Sequence, residues 1–125
     1  MNGPSYFEIQ ADDIQRAIRF YSEVLGWKFL RAEGTPTGYW RIETDGLRGG
    51  ILKRPAQRPP EMSGTNAFTC SMEVTGFDTV ASHIIANGGK IALDKFAVPG
   101  VCWQGYFLDT EGNVFGLFEV DKEAK

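Results

Sequence analysis

One histidine, His83, and two cysteines, Cys70 and Cys102, are all the imidazole and thiol this chain has. A cysteine nucleophile needs a base beside it, and His83 falls in a helical pattern with no recognisable partner. Nucleophilic cysteine chemistry is therefore set aside, and His83 is assigned no role. Cys70 (FTCSM) and Cys102 (GVCWQ) sit among apolar or aromatic neighbours and are expected to be buried, reduced thiols rather than a disulfide. No apolar run approaches the roughly 18 residues that a membrane span requires. The opening Met1-Asn2-Gly3-Pro4 lacks the basic and apolar segments of a signal peptide, so a cytoplasmic protein without a membrane partner is expected. Positive charge is scarce as well: the net charge is −3, and Arg48, Lys53, Arg54 and Arg58 form short, interrupted clusters. Nucleic acid is not an expected partner.

What is present is ordinary for a folded domain. Of 125 residues, 42% are hydrophobic and 23% charged, which suits one domain, 1–125, with one real core. Phe7, Ile9 and Ala11 alternate with Tyr6, Glu8 and Gln10, the period of a two-faced strand. Asp12-Asp13 supplies capping carboxylates, and Ile14, Ala17, Ile18, Tyr21 and Leu25 recur at helical spacing until Gly26 ends the run. Strands follow at 27–30, 39–43 and 50–53, separated by Gly-Thr-Pro-Thr-Gly (34–38) and Asp45-Gly46.

The second half repeats this order. Phe68, Cys70, Met72 and Val74 alternate with Thr69, Ser71 and Glu73. Asp78 opens a helix through Val80, Ala81, Ile84 and Ile85, which Asn87-Gly88-Gly89 ends. Strands follow at 90–93, 104–108 and 114–120. The reading is an α+β fold of two βαβββ modules forming a curved mixed sheet, about 5–54 and 67–120, joined by a Pro-rich connector at about 55–66. Each helix needs an apolar sheet face. By alternation, Tyr6, Glu8, Gln10, Thr69, Ser71 and Glu73 then line the opposite, polar concavity.

The stretches FEIQADDIQRAIRFYSEVLGWKF, ANGGKI and FLDTEGNVFGLFEV resemble the vicinal oxygen chelate superfamily, which includes glyoxalase, bleomycin-resistance proteins and extradiol dioxygenases. FYSEVLGW and DTEGNVFGL, at their separation, carry most of that resemblance. Metal-bearing members take one ligand from the first and one from the last strand of each module, commonly His or Glu. The resemblance puts those positions at Tyr6, Gly50, Thr69 and Gly116. Glycine has no donor, and a neutral hydroxyl is a poor substitute for His or carboxylate. The chain is therefore similar to the metal-free branch, with no metal and no cofactor expected. Homodimerisation is implied by the resemblance alone.

Glu8 and Glu73 are the candidate acid/base residues, one carboxylate from each module; their ordinary role is as solvated or Arg-paired side chains. Tyr6, Thr69, Ser71, Trp40, Trp103 and Tyr106 are the candidate ligand contacts, the aromatic ones offering stacking surface where core packing is the alternative. The Asp109-Thr110-Glu111-Gly112-Asn113 stretch reads as a hairpin turn rather than a metal loop. Three functions follow from these residues. The first is a metal-independent small-molecule binder with its ligand in the trough between modules. The second is a lyase or isomerase using Glu8 or Glu73, or a metal enzyme with non-standard ligands. The third is a subunit whose sheet serves a homodimer or a partner protein.

Overall fold

A computed structural model of the chain describes residues 4–34, 38–60 and 67–125. The centre of the 34–38 turn, the residues before Pro4 and the second half of the connector lie outside the described residues. The chain divides into two compact units, Met1–Pro60 and Glu61–Lys125, and each has the element order βαβββ.

The first unit contains β1 (Phe7–Ala11), α1 (Ile14–Leu25), β2 (Lys28–Ala32), β3 (Tyr39–Glu43) and β4 (Gly49–Lys53). Its sheet runs β1-β4-β3-β2, with β1 parallel to β4 and the other pairs antiparallel. The α1 boundaries have local causes. The Asp13 carboxylate accepts from the Arg16 amide at 3.1 Å, and Gly26 takes the left-handed conformation (φ 70°) that an L side chain resists. The buried stripe Ala17, Phe20, Tyr21 and Val24 follows helical spacing. Ala17 joins Ala11, Ile42 and Ile51 in the core, with Phe7, Ile9, Phe29 and Trp40 packed around them. Gly49 is part of that packing: a Cβ there would stand 2.6 Å from the Phe7 ring.

The second unit contains β5 (Ser71–Glu73), α2 (Phe77–Ala86), β6 (Lys90–Val98), β7 (Cys102–Leu108) and β8 (Val114–Val120), with sheet order β5-β8-β7-β6. Four expectations need correction. The first strand is shorter than 68–74. Its ladder stops where the Cys70 carbonyl accepts from the Gly116 amide, and β8, its partner, begins only two residues before Gly116. Phe68 is consequently fully exposed, and Cys70 is exposed as well, whereas Cys102 is buried; both are free thiols. The strand expected at 90–93 continues to Val98, because two register shifts in β6 break the alternation on which its recognition depends. Finally, α2 starts at Phe77 rather than at Asp78, and its cap is distant in sequence. The Glu119 carboxylate on β8 accepts from the Gly76 and Phe77 amides at 2.7 and 2.9 Å. Those two amide bonds hold the Glu119 carboxyl below its usual range.

The 109–113 segment is a closed turn. Asp109 accepts from the Glu111 and Asn113 amides at 2.8 Å each and from Asn113 Nδ2 at 3.1 Å, while Gly112 takes φ 79°. Among the described residues, no helix is long and apolar enough to cross a membrane.

Candidate functional site

In the first unit the strand register aligns Glu8, Gly50 and Arg41 across β1, β4 and β3, and places Tyr39 opposite Leu52. Side chains level with one another in a sheet share a face, and this one is opposite the face that packs on α1. The Tyr39 hydroxyl crosses β4 and donates to Glu8 Oε2 at 2.8 Å, and it lies 2.8 Å from the Tyr6 hydroxyl. This reach depends on Gly50. A Cβ on that residue would collide with the Tyr39 hydroxyl and meet Tyr39 Cε1 at 2.8 Å.

Partial burial, followed by the bonds to Tyr6 and Glu8, pushes the Tyr39 hydroxyl well above the usual phenol value. A raised pKa means that the fold favours the neutral phenol. The resulting stability is intact below pH 10.0, the ordinary value, and is lost as pH rises beyond it. A phenolate difference titration of wild type against Tyr39→Phe is expected to show no Tyr39 ionisation near pH 10.0 and a rise only well above it; a midpoint at the ordinary value would contradict the bonded geometry.

The second unit repeats the arrangement with different groups. Ser71, Gly116 and Tyr106 align across β5, β8 and β7. Gln104 Nε2 donates to Ser71 Oγ at 3.2 Å. A Cβ on Gly116 would collide with Ser71 Oγ and meet Gln104 Nε2 at 2.8 Å. Tyr39 and Gln104 each stand two residues before the residue paired with the glycine, Arg41 and Tyr106 respectively. They are corresponding side chains, each bent over a corresponding glycine. The same register makes Ser71 the counterpart of Glu8, and Gln10 the counterpart of Glu73.

The expected site residues therefore separate. Tyr6 and Glu8 are brought together, with Tyr39 between them. Ser71 and Tyr106 share the polar face of the second unit, where Tyr106 stacks on Phe96 with ring centroids 6.4 Å apart. Thr69 is exposed and precedes β5, and Glu73 is exposed on β5 opposite Phe118. Trp40 packs against the helix-side core, with the Arg31 guanidinium over its ring. Trp103 also lies on the helix side: Lys95 Nζ is 4.7 Å from its ring centre, and its indole donates to Asp121 at 3.0 Å. The Glu123 amide, then this indole, hold the Asp121 carboxyl below its usual range. Two residues of the polar faces, Tyr39 and Gln104, were not among the expected contacts. Alternation could have found them, since Trp40 keeps step with buried Ile42, and Trp103 with buried Phe107.

The donors at Tyr6, Gly50, Thr69 and Gly116 do not fit a divalent ion. Two of the four offer no donor, and the space each glycine leaves is taken by a hydrogen-bonded side chain. Among the described residues, no group of three or more His, Cys, Asp or Glu side chains could hold a metal.

Comparison with known proteins agrees with this architecture. The model of the glyoxalase/bleomycin resistance protein/dioxygenase superfamily matches residues 3–117. A glyoxylase-like domain-containing protein of Didymella fabae is 28% identical over 120 residues, 90% of each chain. The putative glyoxylase CFP32 of Mycobacterium bovis is 21% identical, and the chain spans about half of it, 46%. A family enzyme from Burkholderia phytofirmans superposes with a TM-score of 0.74 at 20% identity, covering 94% of this chain and 98% of that one. A mutant of the fosfomycin resistance protein FosX from Listeria monocytogenes, complexed with Mn(II) and a dihydroxypropylphosphonic acid, superposes with a TM-score of 0.75 at 15% identity, covering 97% and 94%. At such identities the superpositions show the fold.

Proposed function

We propose, because this chain belongs to the glyoxalase/bleomycin resistance protein/dioxygenase superfamily, that it is a member which binds a small molecule without a metal ion. The observation that carries this reading is the Tyr39 hydroxyl seated over Gly50, bonded to Glu8 and Tyr6, in the space a ligating side chain at residue 50 would need. A metal in such a site acts as a Lewis acid worth several kcal/mol of charge stabilisation; phenols and an amide do not replace it. What these side chains do supply is directed hydrogen bonding on a half-open sheet face, with exposed Leu30 and the Tyr39 ring as apolar surface beside it. Polar groups of this kind orient a ligand more than they activate it.

A thermal-shift screen of aromatic and dicarbonyl compounds, run throughout in chelator, tests the proposal. A binder raises the melting temperature without metal, and the shift shrinks in Glu8→Gln. Stabilisation that appears only when a divalent ion is added back would refute it.

A further inference from the structure

The direction of the hydrogen bonds in the first unit specifies which ligands its polar face accepts. Tyr39 has one hydroxyl hydrogen, and it is given to Glu8 Oε2. An ionised carboxylate only accepts. The Tyr6–Tyr39 contact at 2.8 Å must then be made with the Tyr6 hydrogen, so Tyr6 donates to Tyr39. Both phenol hydrogens are consumed inside the relay. What remains toward solvent is a lone pair on the Tyr6 oxygen and the free capacity of the two Glu8 oxygens: acceptors carrying a full negative charge, and no donor.

Resting on the small-molecule reading above, we propose that the Tyr6–Tyr39–Glu8 relay binds an organic cation, a protonated primary or secondary amine whose N–H groups fill those acceptors. Tyr6 and Glu8 are both exposed and reachable, and a charge-assisted hydrogen bond is roughly twice as strong as a neutral one. An anion meets the Glu8 charge with no donor hydrogen left within the relay to offset the repulsion. Arg41, level with Glu8 across Gly50, and exposed Arg48, just before β4, are the cations on this face; neither forms an ion pair with Glu8 among the described residues, so the Glu8 carboxylate is left to a ligand.

The test is calorimetric titration of the full chain, in chelator, with benzylamine, benzyl alcohol and benzoate, which share a ring and differ in charge. Benzylammonium is expected to bind, the alcohol more weakly, and benzoate not at all. Glu8→Gln, an exposed change that leaves the fold intact, is expected to weaken benzylammonium binding about tenfold or more. Tyr39→Phe is expected to weaken it less, because Glu8 keeps its charge but loses the bond that orients it. Equal binding of benzoate and benzylammonium, or benzylammonium binding unchanged in Glu8→Gln, overturns the cation assignment while leaving the small-molecule reading in place. Binding that requires Mn(II) or Zn(II) in place of chelator overturns both. Absence of heat with all three probes overturns the assignment as well.

Discussion

Ile51→Ala is expected to destabilise the first unit by about 2–5 kcal/mol, the range for truncating a large aliphatic side chain in a closed core. Ile51 has no exposed surface and lies in the centre of β4 among Ala11, Ala17 and Ile42. Nothing around it is free to fill the void: α1 covers that face, and β1 and β3 flank it. Leu30→Ala is the informative control. Leu30 is as apolar, but it is 52% exposed and lies on the polar side of β2, so its loss should stay within about 0.5 kcal/mol. Urea unfolding of both variants checks which sheet face is core; comparable losses would mean that the faces are assigned wrongly.

Gly50→Ala is expected to cost about 1–3 kcal/mol, the range for overpacking a filled position. The added methyl would coincide with the Tyr39 hydroxyl. The ring can swing aside, since it is the far end of a rotatable side chain, but swinging breaks its bonds to Glu8 and Tyr6 together. In a Tyr39→Ala background the obstacle is gone, and the same glycine substitution should be close to neutral. The four proteins form a double-mutant cycle in which the coupling should account for most of the Gly50→Ala loss. Additive effects would show that the two residues do not share that space.

Much of this was legible in the residues. The α1 boundaries follow from Asp13 and Gly26, and β3 and β8 begin and end where their alternation does, because each is a regular strand with one face on its own helix. What escaped had non-local causes. The α2 cap belongs to Glu119, more than forty residues downstream, and no local pattern near Gly76 announces it. The far part of β6 was hidden by its register shifts, and the 68–74 strand is shorter than its alternation suggests, its pairing starting at Ser71 although β8 reaches back to the level of Thr69. At the candidate site, Tyr6 and Glu8 were readable from the alternation in β1. Tyr39 and Trp40 are adjacent rings, of which alternation lets only one face the concavity; the structure turns Trp40 to the core and leaves Tyr39 on the polar face. The glycines at 50 and 116 were readable as missing donors; that their space is occupied by Tyr39 and by Ser71 with Gln104 required the folded geometry.

In the proposed metal-free reading, the Tyr39 hydroxyl and the Ser71–Gln104 pair fill the space over Gly50 and Gly116 that a ligating side chain would need. Elemental analysis of protein purified without chelator, followed by calorimetric titration with Mn(II), Zn(II), Ni(II) and Fe(II), tests that reading most directly. No transition metal near stoichiometric amounts and no saturable one-to-one binding are expected. One equivalent of tightly held metal, lost on Tyr6→Phe, would contradict it.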